Sequence, residues 1–363
     1  MQSKKKSGLG RWGLTACVAG LFGVASLSSA FADQPADAAA VAAAAQASPE
    51  ALKVWHEHIK KVATPAAGCF RAVYPNLTWE KETCLASPKY RSSPKVGPRR
   101  DAYSAPQTVG NGYDYSAQTA QLTRSAVGSF PVVSGVTSTN NPNGYGGTNG
   151  YTLQLNTNFA SGSPACASYG YTSCSVWQQF IYSTYNGADS PAPAGPQAFI
   201  QDWMFLSSSD YSRKGCPRGW YSYSPQYACY RNSNAVAVSF VPASQLASAS
   251  LTGSAAANGV DTVTFTYGGV AHSVTQSDST LGIAYVWNTS EFNVVGNGGG
   301  SGVNFNSGSS LTVKLAVNDG TTSSPSCIGP TNGGTTGETN NLKLGTCSAN
   351  GGTTPYIQFV ESN

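Results

Sequence analysis

From about residue 102 onward, short apolar and β-branched runs alternate with stretches of Gly, Asn, Ser and Thr. The runs Tyr151–Phe159, Val176–Ser183, Gln197–Leu206, Ala235–Val241, Asp261–Tyr267, Ile283–Trp287, Phe292–Val295, Leu311–Val317 and Tyr356–Val360 have the length and composition of strands. Connectors such as Asn140–Asn149 and Gly296–Gly302 carry the residues that turns require. No segment of this region keeps a 3.6-residue apolar period over three turns. The pattern predicts an all-β fold, an antiparallel β-sandwich of two packed sheets, over residues 101–363. No strong internal repeat is visible, which argues against a propeller or solenoid. A core of that size is large enough to be stable without metals.

The front of the chain is patterned differently. Residues 1–32 read as a signal peptide: Lys4, Lys5, Lys6 and Arg11 precede an apolar run from Trp12 to Ser28, and Ala30-Phe31-Ala32 supplies the small-x-small cleavage pattern. A membrane anchor is the alternative; Gly, Ser and Thr within the run, and the lack of a second apolar stretch, count against it. Leu14-Thr15-Ala16-Cys17 resembles a lipoprotein box with too little apolar sequence before it, so Cys17 belongs to the discarded segment. An extracellular or periplasmic destination follows, with no stable membrane insertion.

Residues 33–100 read as a pro-segment or small N-terminal module, with a flexible leader as the alternative. Residues 34–49 are Ala-rich, Glu50 to Ala63 suits a short amphipathic helix, and Cys69 to Cys84 suits a small closed loop. Residues 86–100 carry Lys89, Arg91, Lys95, Arg99 and Arg100 with three prolines, an extended and protease-accessible stretch.

Charge separates the same two parts. Residues 1–101 hold 14 Lys/Arg against 7 Asp/Glu, and residues 102–363 hold 7 against 10, so the net +4 is a basic front end on a mildly acidic body. The body has no basic stripe that would track phosphates, which sets nucleic acid aside as a partner. Few carboxylates also limit the usual route to acid unfolding.

Without Cys17, eight cysteines remain, an even number that favours disulfides in an exported chain. They fall in four close pairs, so sequential pairing is expected: Cys69–Cys84, Cys166–Cys174, Cys216–Cys229 and Cys327–Cys347. Zinc is the alternative, but there is no Cys-x-x-Cys and only three histidines, His56, His58 and His272. No metal or cofactor is implied.

Elimination narrows the chemistry. His272 is the one histidine of the body and no Gly-x-Ser-x-Gly elbow exists, so a serine triad has no place. The glycines at 296–300 are not followed by Lys-Ser/Thr and do not form a phosphate loop. The body has three glutamates. Glu361 is expected at a frayed C-terminus and Glu338 in a solvated loop. Glu291 lies between two strand runs, where alternation would point it from a sheet face into a cleft or leave it as an exposed strand-end carboxylate. Upstream, Trp177-Gln178-Gln179 and Ile200-Gln201-Asp202-Trp203 set amides inside apolar strands, as satisfied core amides or positioned donors.

Trp177, then Ala198-Phe199-Ile200-Gln201, then Gly219-Trp220-Tyr221-Ser222-Tyr223, then Ser290-Glu291-Phe292 follow the order of motifs in the eqolisins, the glutamic peptidases with a two-sheet β-sandwich. The chain resembles that family over roughly residues 150–318, with Ser290 where the family has alanine. The resemblance implies a catalytic pair, Gln201 and Glu291, with Gln178 and Gln179 as rivals to Gln201. It also implies a polypeptide substrate in contact with Trp177, Gln179, Trp220 and Tyr221. The carboxylate would take a proton from the attacking water and return it to the departing amine, while the glutamine NH₂ donates to the oxyanion. A basic pro-segment that holds the enzyme inactive until acid conditions is implied as well.

The expectation is thus a secreted, monomeric acid peptidase with no cofactor. The competing expectation is a non-catalytic carbohydrate-binding or adhesive module using Trp177, Trp203, Trp220 and Tyr221. A third is a glycosidase pairing Glu291 with Asp202.

Overall fold

The computed structural model describes residues 43–44, 46–65, 67–89, 91, 113–185, 195–330 and 336–363. The signal-peptide reading of residues 1–32 and most of the basic stretch 86–100 lie outside them. Two large antiparallel sheets pack face to face, as the alternation predicts. Strands are numbered in chain order. In spatial order sheet I is β2 (Glu80–Lys81), β1 (Gly68–Val73), β15 (Val270–Ser277), β14 (Val260–Tyr267), β13 (Ala249–Ala255), β4 (Ser125–Ser134), β18 (Ser310–Asn318), β23 (Tyr356–Ser362) and β21 (Lys343–Leu344), with β22 (Ser348–Asn350) also on β23. Sheet II is β11 (Tyr221–Tyr223), β12 (Ala228–Ala237), β10 (Gln197–Leu206), β9 (Cys174–Ser183), β7 (Thr152–Thr157), β16 (Thr289–Val295), β3 (Ser116–Gln118) and β19 (Ser326–Ile328), with β8 (Ala160–Ser161) on β9. A small third sheet holds β20 (Thr339–Asn340), β17 (Gly302–Phe305), β5 (Thr139–Asn141) and β6 (Gly147–Thr148).

Aromatic rings from sheet II seat on glycines of sheet I. A Cβ on Gly128 would lie 2.1 Å from the Phe292 ring, and one on Gly253 would lie 2.2 Å from the Phe180 ring. These approaches fix the pleat. With Phe292 and Phe180 locked inward, Glu291 and Gln179 beside them face away from the second sheet. Tyr182 stacks on Phe265 across the same interface, with centroids 4.2 Å apart. Gly128→Ala should therefore lower stability by about 1–3 kcal/mol, read by denaturant unfolding, because the ring has no low-cost retreat from a packed core. An unchanged midpoint would mean that Phe292 does not set the pleat.

The front module shares sheet I with the body. β1 pairs with β15 from Gly68↔Thr275 to Val73↔Val270. The helix Pro49–Ile59 is capped by Ser48, whose Oγ accepts from Ala51 N at 3.1 Å. It buries Trp55 and Ile59 with Phe70, Ala72, Trp79 and Ala271. It stops short of the expected Ala63, ahead of Thr64-Pro65, where the residue before proline disfavours the helical region.

All four disulfides join the expected sequential pairs, as suits an exported chain. Among the described residues no helix is long and apolar enough to cross a membrane. Three expectations change. Ile283–Trp287 is not a strand: Ile283–Tyr285 is a 3₁₀ turn, entered through Gly282 at φ 62° and tied by the Asp278 carboxylate to Ala284 N. The run at Ala235–Val241 gives strand only to Ala237, and β12 extends upstream through polar residues instead. β4, β13 and β15 form the middle of sheet I although their Ser, Thr, Gly and Pro content hides them in the sequence.

Candidate functional site

Across sheet II, Asn232 on β12, Gln201 on β10, Gln179 on β9, Asn156 on β7, Glu291 on β16 and Ser116 on β3 are successive cross-strand partners. Directly opposed residues share a face, so these six side chains form one polar row on the outer face of the sandwich. With strands about 4.8 Å apart, the Gln179 and Glu291 backbones are about 10 Å apart and those of Gln201 and Glu291 about 14 Å. The β10–β12 register shifts between Phe199 and Gln201, and such a bulge re-aims the side chain beside it.

Hydrogen bonds fix the amides of the row. Gln201 Nε2 donates to Asn232 Oδ1 at 2.8 Å, and Trp203 Nε1 donates to Gln201 Oε1 at 2.9 Å. Gln179 Nε2 donates to Asn156 Oδ1 at 2.8 Å and to Gln154 Oε1 at 3.0 Å. Both protons of the Gln179 amide are thus engaged. Among the described residues, Gln179 Oε1 and Trp177 Nε1 are buried with no hydrogen-bond partner. They lie two residues apart on one face, an acceptor and a donor at about 7 Å spacing.

A second row runs alongside. Tyr221, Tyr230, Trp203 and Trp177 are successive cross-strand partners whose rings stack at centroid distances of 5.2, 4.9 and 6.0 Å. Tyr223 stands edge-on to Trp203 at 5.9 Å. Tyr221 is 44% exposed, while Trp177 and Trp203 are buried. On the other side of the polar row, Ile181, Phe199 and Ala235 form an apolar band against Leu85.

The segment after Cys84 lies over these bands. Leu85 exchanges backbone hydrogen bonds with Ala235 at 2.8 and 3.1 Å. Ser87 Oγ donates to Asn232 O at 2.8 Å, and Asn232 Nδ2 donates to Pro88 O at 2.6 Å. The Arg91 guanidinium lies 4.8 Å from the Tyr223 ring centroid, and Arg91 O accepts from Gly299 N at 3.2 Å. Glu291 and Gln201 are fully covered in this state, at 1% and 0% exposure.

Other candidate residues sit elsewhere. Gln178 and Asp202 face the second sheet: Gln178 Nε2 donates to Asp202 Oδ1 at 2.9 Å and to Asp261 Oδ2 at 2.8 Å, and Gln276 Nε2 donates to both Asp202 oxygens. Gln178 and Asp202 therefore lie on the opposite face of sheet II from Gln201 and Glu291. Trp220 packs against Tyr169 and under Arg231, outside both rows. Ser290 accepts from Trp287 Nε1 at 3.0 Å on the inner face, a use for its hydroxyl that alanine lacks. His272 Nδ1 contacts Glu82 Oε1 at 3.0 Å.

Two expectations about glutamates fail. Glu338 is buried, accepting from Gly300 N at 3.0 Å and from the Thr336 hydroxyl. Glu361 is buried too, accepting from Asn293 Nδ2 at 3.0 Å. Burial, with Asp114 nearby, holds its carboxyl well above the usual carboxylate range. Asn156, Gln154, Asn232 and Tyr230 are not singled out in the sequence, and Tyr223 is named there only within the Trp220-Tyr221 segment. The alternation of Gln154 and Asn156 with leucines was the available signal.

Among the described residues there is no group of three or more His, Cys, Asp or Glu fit to hold a metal ion. No family model, no curated protein and no solved structure matches this chain.

Proposed function

We propose that the outer face of sheet II is the substrate groove of a glutamic endopeptidase acting in acid. The observation that carries this reading is the single polar row that has an ionisable carboxyl, Glu291, and an oriented amide, Gln201, on one face. Their separation suits the chemistry. An oxyanion donor needs about 3 Å to the carbonyl oxygen and a base about 3 Å to the attacking water, so both groups must stand apart with the carbonyl and water between them.

In the proposed cycle Glu291 accepts a proton from water as the water oxygen bonds to the peptide carbonyl carbon. Gln201 Nε2 donates to the resulting oxyanion. The protonated Glu291 then gives its proton to the amide nitrogen as the C–N bond breaks. Gln179 Oε1 and Trp177 Nε1 supply an acceptor and a donor for the substrate backbone. Residues 85–89, with Arg91, are proposed to hold the groove closed in the intact chain.

The aromatic row raises the sugar-binding alternative, but its rings spend their faces on one another, which leaves few faces to stack on sugars. The test is digestion of casein by acid-incubated full chain from pH 2 to 7, with binding to insoluble polysaccharides measured in parallel. Acid-limited digestion that resists serine-, cysteine- and metal-directed inhibitors is expected. Polysaccharide binding with no digestion at any pH would replace this reading with the binding module.

A further inference from the structure

We propose that Tyr223, with Tyr230 and Trp203 behind it, forms a subsite for a guanidinium side chain of the bound peptide, occupied in the intact chain by Arg91. The inference rests on the peptidase reading only in calling that peptide a substrate.

The geometry is that of cation–π recognition: the Arg91 guanidinium lies over the Tyr223 ring, within the roughly 6 Å over which the ring quadrupole attracts a cation. The Tyr223 and Trp203 planes meet at 86°, and the Arg91 guanidinium stands over the Tyr223 ring. Tyr230, stacked on Trp203, closes the same corner. Burial raises the Tyr230 phenol, and the Arg91 charge draws it back. Among the described residues no carboxylate forms an ion pair with Arg91. Recognition therefore falls to aromatic faces, which favour the planar, weakly hydrated guanidinium over the strongly hydrated ammonium of lysine.

The backbone of the occupying residue is anchored as a bound peptide would be. Gly299, at φ 67°, turns its N–H to the Arg91 carbonyl, and Asn232 holds the carbonyl of Pro88. A peptide that displaces this segment meets the same two donors, with its cation on Tyr223 and its chain across the polar row.

The test uses the full chain carrying Arg91→Ala, which vacates the subsite, and a fluorescent peptide of the chain's own sequence, Leu-Ala-Ser-Pro-Lys-Tyr-Arg, with versions ending in Lys or Ala. Anisotropy titration should give binding about 3- to 30-fold tighter for the Arg peptide than for the Ala peptide, with Lys between them. Tyr223→Phe in that background should keep the preference and Tyr223→Leu should remove it. Equal affinity for the three peptides, or a preference that survives Tyr223→Leu, would overturn the subsite.

Mapping of cleavage sites in a denatured protein at acid pH separates this proposal from the peptidase reading. Digestion lost in Glu291→Gln but with no Arg enrichment at a fixed offset from the cut sinks the subsite alone. An Arg preference in binding, with digestion unaffected by Glu291→Gln, sinks the peptidase reading and leaves the subsite standing.

Discussion

Glu291→Gln should leave the protein folded and lower acid proteolysis by about 10²- to 10⁴-fold, the span that a positioned general acid–base contributes. The substitution keeps the shape of a side chain that is buried beside Asn156 and Ser116, so unfolding should not confuse the result. Gln201→Ala should cost about 10²- to 10³-fold, mostly in kcat, as expected for loss of an oxyanion donor. Gln179→Ala should act mainly on KM, because both of its N–H groups are spent on Asn156 and Gln154 and its free oxygen meets substrate in the ground state. Near-normal kcat in Gln201→Ala with a collapse in Gln179→Ala would exchange the two roles. Full activity in folded Glu291→Gln would remove the mechanism.

The protein should be more stable toward denaturant at pH 4 than at pH 7. Asp202 and Asp261 are buried between the sheets, and burial raises both carboxyls above the ordinary 3.8. For Asp202 the bonds from Gln178 and Gln276 and the Arg231 charge pull the other way. For Asp261 the bond from Gln178 also opposes, while Asp278 and Asp202 push further up. The folded state thus keeps protons that the unfolded chain releases. Stability from these groups is fully present below about pH 4 and falls as pH rises toward their folded values, by about 1.4 kcal/mol per pH unit for each group still protonated in the fold. Asp319 works in the opposite sense: burial pushes it up, but hydrogen bonds from Thr321 and Gln121 carry it below 3.8, so its contribution is lost as pH falls further. His56, lowered chiefly by burial, also opposes the trend between pH 7 and 4, because the fold resists its protonation. A maximum near pH 4 is expected, and Asp261→Asn should flatten the decline toward neutrality. Greater stability of the wild type at pH 7 than at pH 4 would contradict this account.

Much of the scaffold was legible. The Gln197–Leu206 strand has the bounds its apolar run suggests, because apolar and aromatic residues on both faces leave little choice of conformation. Closeness in sequence was enough to pair the cysteines, since short loops close readily. The polar parts were not legible. Alternation says that Gln178 and Gln179 face opposite ways but not which side is core, and here the inner side holds an amide–carboxyl cluster where apolar residues are the usual occupants. β12 was hidden because Arg231-Asn232-Ser233-Asn234 lacks the apolar content of a strand, although Asn232 ends the polar row. Glu338 and Glu361 look like loop and terminal residues in one dimension and are buried only because distant strands close over them.

The disulfide arrangement has a consequence for how the molecule would come apart. Cys69–Cys84 closes entirely within the front module and the other three bridges within the body, so none of the four crosses residue 100. Once the backbone is cut between Arg91 and Tyr113, the two pieces form a non-covalent heterodimer held by the β1–β15 edge, the Leu85–Ala235 bridge and the Glu82–His272 contact. Mass action then governs how fully the polar row is covered: dilution uncovers it with every sulfur bridge intact, and crowding the pieces together covers it again.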